Sequence, residues 1–185
     1  DAKDSQGVCW ARQQAQTLYR DEDYVLMIDS HMRLVKDWDE RMIEELAMCP
    51  SNKALLTHYP PGYKPPRNIV PDPKISVQTL KQFTEQGDVR GDGIVLETIP
   101  PHPLRGAFIA CGYIFAQGRL VREVPYDPFM YFNQEEITLA ARFYTHGWDV
   151  YHPCRVLIFH FYRSPEDKEV ASPLHWEDNK DWGAM

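Results

Sequence analysis

Two potential metal ligands follow one apolar segment of the chain, and a third follows another. Asp29 and His31 come directly after the apolar run 24–28, and His160 comes after 156–159. Side chains alternate along a strand, so Asp29 and His31 can point to the same face and reach one ion together. Because ligands bind beyond the carboxyl ends of strands in open α/β sheets, we expect His160 to join them. A carboxylate with imidazoles suits Mn²⁺, or alternatively Mg²⁺, whose remaining positions are taken by diphosphate oxygens and water.

Several of the candidate residues also have a purely structural interpretation. An aspartate that caps a turn beside a surface histidine would explain Asp29 and His31. Glu135 and Glu136 begin a predicted helix, where acidic side chains favourably meet the helix dipole, or else they bind an acceptor hydroxyl and take its proton. Arg12 is either a solvated helix residue or a contact to a diphosphate. The spacing alone leaves these alternatives open.

Apolar periodicity predicts the helices and strands that must position these residues. We expect helices at about 7–19, 38–49 and 134–146, the second begun by a capping box of Asp37 and Glu40 and the third capped by Asn133. The apolar runs that we interpret as strands lie at 24–28, 54–59, 94–97, 108–115 and 156–159. The first run does not alternate, which is typical of a parallel-sheet strand covered on both faces. Strands that alternate with helices indicate the α/β class.

Length and composition predict one globular domain over residues 1–185, with 60–92 as a long loop excursion and 164–185 as a polar C-terminal tail. No apolar stretch approaches the roughly 20 residues that cross a bilayer, so we expect no membrane segment. The net charge of −7 disfavours a nucleic-acid partner. The four scattered cysteines favour a reducing compartment over a disulfide framework.

Six sequence blocks are distinctive in this order along the chain: GVCWAR at 7–12, DSHMR at 29–33, YPPGY at 59–63, VPYDP at 124–128, THGWD at 145–149 and HFY at 160–162. These blocks resemble the hydroxyproline N-acetylglucosaminyltransferases, which modify a ubiquitin-ligase adaptor subunit in the cytoplasm. The resemblance covers nearly the whole chain, and the long first block is the most specific. A broader likeness runs to the polypeptide N-acetylgalactosaminyltransferases, which share an Ala-Arg helix, a D-x-H motif, a glutamate-led helix and a late histidine.

The resemblance implies a GT-A fold, which is a Rossmann-like nucleotide-sugar-binding sheet flanked by helices. The first, uridine-binding strand of that fold is expected before residue 1, so the domain is expected to be incomplete at its N-terminus. The implied activity is cytoplasmic and metal-dependent: N-acetylglucosamine passes from UDP-N-acetylglucosamine to a hydroxyl of hydroxyproline, Ser or Thr in a protein acceptor, with retention of configuration.

The resemblance also implies roles for individual residues, and it shows one departure from the family pattern. Gln134 stands where these families usually have a glycine, which is expected to alter the loop that contacts the acceptor. The implied metal ligands are Asp29, His31 and His160, the implied donor-binding residues are Arg12, Ser30, Gly112, Tyr162 and Arg163, and the implied catalytic residues are Glu135 and Glu136.

Two other functions fit parts of the pattern. A degenerate domain would bind a sugar or a protein without catalysis, and the missing uridine strand favours this alternative. A metallophosphatase also begins with D-x-H at a strand end, but it needs further Asp and Asn-His blocks for its second metal. The chain has no Asn-His pair, and Gly91-Asp92 lacks the residues that should follow it, so the phosphatase is the weaker alternative.

Overall fold

A computed structural model of the chain describes residues 6–65, 68–69 and 72–162. The predicted tail at 164–185 and the predicted donor contact Arg163 lie outside the described residues. The helices are α1 (Val8–Gln16), α2 (Trp38–Ala47), α3 (Leu120–Glu123) and α4 (Glu135–Thr145). The strands are β1 (Tyr24–Ile28), β2 (Met32–Leu34), β3 (Ala54–Thr57), β4 (Tyr63–Lys64), β5 (Asn68–Ile69), β6 (Ser76–Phe83), β7 (Val89–Val95), β8 (Leu104–Gly106), β9 (Tyr113–Gln117), β10 (Asp149–His152) and β11 (Ile158–His160).

The central sheet has five strands in the order β1-β9-β3-β10-β8. Only β3 and β10 pair in parallel, whereas the β1–β9, β9–β3 and β10–β8 pairs are antiparallel. The prediction that 24–28 belongs to a parallel sheet is therefore wrong. Within the described residues β1 lies at one edge of the sheet and pairs with β9 alone, and Tyr24 and Ile28 are exposed at its two ends.

Helices cover both faces of the central sheet, and this explains why the run in β1 does not alternate. Val25 and Met27 pack against one core cluster, which includes Leu139 and Phe143 of α4. Leu26 packs against the other cluster, to which α2 contributes Met42 and Leu46. Both sets of side chains in β1 therefore contact apolar residues, although the outer edge of the strand carries no partner in the described chain. The mixed α/β class is confirmed.

The helix starts differ from the predicted caps. Asp37 precedes α2 and Gln134 precedes α4, both in left-handed backbone conformations with φ of 56° and 64°. Neither side chain forms a capping hydrogen bond, so neither the predicted capping box of Asp37 and Glu40 nor a cap by Asn133 is formed. A capping side chain reaches the first amides from an extended backbone, and the left-handed conformation removes that geometry.

Two predicted strands lie elsewhere than expected. The run at 108–115 contributes only its end to β9, because the chain turns just before it: the Tyr113 amide donates to the Ala110 carbonyl at 3.0 Å, which closes a turn over Cys111 and Gly112. Of the run at 94–97, only Ile94 and Val95 are in a strand, and they end β7 of a long antiparallel hairpin outside the central sheet. This β6–β7 hairpin turns at Gly87 with φ of 86°. This hairpin occupies much of the predicted loop excursion. No helix in the described part of the chain is long and apolar enough to cross a membrane.

Candidate metal and sugar-nucleotide site

Asp29, His31 and His160 converge at one end of the molecule. Asp29 follows β1, while β11 pairs with β2 so that His160 lies opposite Met32. The Phe161 amide donates to the His31 carbonyl at 3.1 Å, and this bond holds the two segments together. The nearest ligand atoms of the three side chains all lie within 4.8 Å of one another. The predicted convergence is thus present, although a small separate sheet brings His160 to the site rather than a neighbouring strand of the central sheet.

The surroundings of Asp29 and His31 favour the protonation states in which these two side chains bind cations. Asp29 Oδ2 lies 3.4 Å from His160 Nε2, and this hydrogen bond together with the nearby guanidinium of Arg12 lowers the pKa of Asp29. Burial and the neighbouring His160 lower the pKa of His31. The His31 and His160 ring centroids are 4.4 Å apart. A metal needs an ionised carboxylate and neutral imidazoles, and these shifts favour both for Asp29 and His31.

Arg12 of α1 joins the cluster to the second acidic part of the site. Its Nη2 lies 3.0 Å from Asp29 Oδ1, and its Nη1 donates to Glu135 Oε1 and to the Tyr126 hydroxyl. The Arg12 side chain is 16% exposed, which excludes the interpretation as a solvated helix residue. One guanidinium therefore compensates two carboxylates that lie more than one hundred residues apart in the chain.

Glu135 and Glu136 begin α4, and both are more than helix-dipole partners. Burial raises the pKa of Glu135, an effect that Arg12 opposes, and burial also raises the pKa of Glu136. Glu136 Oε2 accepts from the Tyr59 hydroxyl at 2.9 Å, and its Oε1 accepts from the Cys111 amide at 2.8 Å. Both oxygens of Glu136 thus fix neighbouring segments, while Glu135 faces the guanidinium.

Gly112 allows the Asp29 carboxylate to approach the backbone. A Cβ at Gly112 would lie 2.8 Å from Asp29 Oδ2, closer than real Cβ atoms approach an oxygen. The group that approaches Gly112 in the structure is therefore a side chain of the site. Ser30 is exposed, with its Oγ 3.4 Å from His31 Nδ1. The Tyr162 ring lies 4.1 Å from that of His160, and its hydroxyl donates to the Pro60 carbonyl.

A cavity of about 410 Å³ lies between these residues and the β6–β7 hairpin. Its volume is in the range of small-molecule sites. The sequence pattern marked neither the hairpin wall of this cavity nor Tyr126 as part of a site, although Tyr126 lies within the quoted VPYDP block. The residues that line it include Arg12, Asp29, Tyr59, Gly112, Glu135 and Glu136 on one side and Val89, Arg90 and Gly91 of the hairpin on the other.

Comparison with known proteins places the chain in a family. A family model described as "Glycosyltransferase (GlcNAc)" matches residues 1–185. The chain belongs to this glycosyltransferase family. A sequence comparison with curated proteins found no match.

The fold of this family member is similar to that of a solved glycosyltransferase. A crystal structure of GalNAc-T7 with UDP, GalNAc and Mn²⁺ superposes with a TM-score of 0.63 at 12% sequence identity. The match covers 86% of this chain and 31% of that one, so the chain spans about a third of the length of this relative. The likeness confirms the predicted GT-A fold.

Proposed function

We propose that this domain transfers N-acetylglucosamine from UDP-N-acetylglucosamine to a hydroxyl of a protein acceptor, in a reaction that depends on a divalent cation. The observation that carries the proposal is the cluster of Asp29, His31 and His160 beside a cavity lined by the buried Glu135 and the half-buried Glu136. The family model supports sugar transfer, and the similar GalNAc-T7 structure was solved with UDP and Mn²⁺.

The donor set of the cluster fits the proposed cation. Asp29, His31 and His160 would hold it, and one carboxylate with two imidazoles suits Mn²⁺ better than a harder ion such as Mg²⁺. Asp29 Oδ2 and His160 Nε2 are 3.4 Å apart, close to the roughly 3 Å between adjacent ligands that share an ion. When bound, the cation would stabilise the negative charge that develops on the departing diphosphate.

The side chains around the cluster orient the reactants in this proposal. Arg12 holds Asp29 and Glu135 in place through its two ion pairs. Glu135 faces the cavity with a raised pKa, which suits a hydrogen bond to the acceptor hydroxyl. Glu136 fixes Tyr59 and the Cys111 amide and thereby the Gly112 segment.

We further propose that transfer retains the anomeric configuration and that the donor lies beside the metal cluster. The acceptor oxygen would bond to the anomeric carbon on the face from which the diphosphate departs, and the hydroxyl proton would pass to the departing phosphate oxygen. Ser30, Gly112 and Tyr162, together with Arg163 outside the described residues, would contact the donor. Contacts with the metal cluster support this for the described residues: Ser30 lies beside His31, Gly112 beside Asp29 and Tyr162 beside His160.

The acceptor and the compartment are part of the same proposal. The quoted sequence blocks support hydroxyproline, or otherwise Ser or Thr, in a cytoplasmic protein. All four cysteines are buried and free, which is consistent with a reducing compartment. Against a two-metal phosphatase, the part of the chain that the structure describes contains only one group of side chains with metal-binding geometry.

The proposal is tested by comparing two histidine variants. With UDP-N-acetylglucosamine and Mn²⁺, we expect the chain to hydrolyse the donor and to glycosylate members of a peptide panel that carry hydroxyproline, Ser or Thr. His31→Ala should lose both activities, whereas the exposed His102→Ala should keep them. Full Mn²⁺-dependent activity of His31→Ala would contradict the metal assignment. Calorimetry of UDP with and without Mn²⁺ separates the non-catalytic alternative, which predicts no metal-dependent heat.

A further inference from the structure

Gln134 adopts a backbone conformation that its side chain does not favour. It is one of three non-glycine residues in the described chain with positive φ, and the other two, Asp21 and Asp37, are aspartates. Aspartate and asparagine tolerate the left-handed region through local hydrogen bonds, whereas the longer glutamine lacks this compensation. A strained residue at the edge of a site is an observation that calls for a functional explanation.

The side chain of Gln134 crosses to the hairpin. Its Nε2 donates to the Val89 carbonyl at 3.2 Å, at the start of β7 near the hairpin turn. The base of the hairpin has separate attachments, because Ser76 Oγ donates to the Tyr59 carbonyl and Gly93 packs against the Tyr59 ring. The hydrogen bond from Gln134 is thus placed to hold the distal half of the hairpin against the start of α4.

We propose that Gln134 is a positioning residue that fixes the hairpin as the acceptor-side wall of the cavity. This inference rests on the proposed function, which places the donor diphosphate at Asp29. The hairpin residues Val89, Arg90 and Gly91 line the same cavity as Asp29. We assign them to the acceptor, because the metal ligand Asp29 is assigned to the donor.

A neighbouring groove supports the acceptor side of this assignment. Gly91 also lines a groove of about 670 Å³ together with Pro60, Pro61 and Tyr162. A Cβ at Gly91 would meet only the Thr79 carbonyl, at 3.7 Å, so the glycine leaves the space between cavity and groove open. A polypeptide that lies in this groove could present a hydroxyl to the cavity. The hydrogen bond from Gln134 sets how far this passage opens.

The test compares Gln134→Gly and Gln134→Asn with Asp37→Gly. Both replacements at 134 suit the left-handed backbone, but neither can reach Val89. Asp37→Gly makes the same backbone change at the N-cap of α2, away from the cavity. Hydrogen–deuterium exchange of the 76–95 segment should become about threefold to tenfold faster in both Gln134 variants, as expected for one lost hydrogen bond, and should not change in Asp37→Gly.

Kinetics then test the acceptor part of the inference. The KM for the best peptide of the acceptor panel should rise about threefold to tenfold in the Gln134 variants. This fold increase in KM should exceed the fold decrease in the rate of donor hydrolysis. The unfolding temperature should change little in Gln134→Gly, since the relief of left-handed strain offsets the lost hydrogen bond. Unchanged exchange at 76–95 would overturn the role of Gln134 in holding the hairpin. Faster exchange with an unchanged acceptor KM would overturn the acceptor-side assignment.

A wild-type chain that lacks donor hydrolysis and transfer would overturn the proposed function and its acceptor part, while exchange would still decide the position of the hairpin.

Discussion

Replacement of Gly112 by alanine tests the metal site with a single methyl group. The added Cβ would lie 2.8 Å from Asp29 Oδ2, and the other nearby atom outside that side chain is Met32 Cε at 3.4 Å. Nonbonded heavy atoms prefer about 3.5 Å, so the carboxylate must move by about half an ångström or more. Gly112 has no positive φ, so alanine itself fits the backbone and the effect comes from this contact.

The displacement of Asp29 should weaken metal binding strongly. Asp29 Oδ2 is the oxygen that faces His160 Nε2 at 3.4 Å, so its movement opens the cluster that would hold the cation. Disturbance of groups that orient metal ligands typically costs tenfold to a hundredfold in affinity. We therefore expect the Kd for Mn²⁺ to rise by about tenfold to a hundredfold in Gly112→Ala, with a parallel loss of donor hydrolysis at limiting Mn²⁺.

A matched variant separates this effect from simple crowding of the cavity. Gly91→Ala adds the same methyl group to the same cavity, but its Cβ would meet only the Thr79 carbonyl at 3.7 Å. Titration calorimetry with Mn²⁺ should therefore show near wild-type affinity for Gly91→Ala and weak binding for Gly112→Ala. Equal Mn²⁺ affinity in the two variants would refute the inference that Asp29 is a ligand held at this distance.

Three further substitutions test the electrostatics and the packing. Arg12→Met removes the cation shared by Asp29 and Glu135 and should lower the free energy of unfolding in urea by about 3 kcal/mol; a stable variant would show that these ion pairs contribute little. Glu45 is a buried residue of α2, and burial raises its pKa from 4.5 to about 7. The contribution of Glu45 to stability is therefore full below about pH 4.5 and is lost as the pH rises through 7. Between pH 5 and 8 the free energy of unfolding of the unmodified chain should fall by up to about 3 kcal/mol because of Glu45, and Glu45→Gln should abolish this fall. An unchanged pH dependence in the variant would contradict this. Gly118→Ala should lower the free energy of unfolding by about 2 kcal/mol, because the added Cβ would overlap the Glu22 carbonyl oxygen. An unchanged unfolding temperature would contradict this.

The parts of the fold that apolar periodicity encodes could be predicted from the sequence. The three predicted helices correspond to α1, α2 and α4, and their ends differ from the prediction by a few residues. The sheet order could not be predicted, because an apolar run such as that in β1 records that both faces are covered, not which strand lies beside it. The β6–β7 hairpin was not recognised because five of the eight side chains of β6 are polar and its exposed end shows no apolar alternation.

The candidate site divides in the same way. Asp29 and His31 could be found because a short motif at a strand end is a local signal. The ion pair between Arg12 and Glu135 joins residues 123 positions apart, and no spacing in the sequence reports it. Gln134 was recognised only as a departure from a family pattern. Its bond to Val89 depends on the position of a hairpin that the sequence did not reveal.

The charges around the cavity explain why the proposed donor, which carries a diphosphate, should need a cation in order to bind. Asp29, Glu135 and Glu136 line the cavity, and a diphosphate that approached them would meet groups of its own sign. Arg12 cannot offset this alone, since its guanidinium is already shared by two carboxylates, and the other guanidinium of the cavity, Arg90, is half-exposed on the hairpin beside Asp88. Burial raises the pKa of both glutamates and reduces the repulsion only in part. In the proposed function, a divalent cation at Asp29 would reverse the sign of the local charge, so we expect the affinity for UDP to depend far more on Mn²⁺ than on any single arginine.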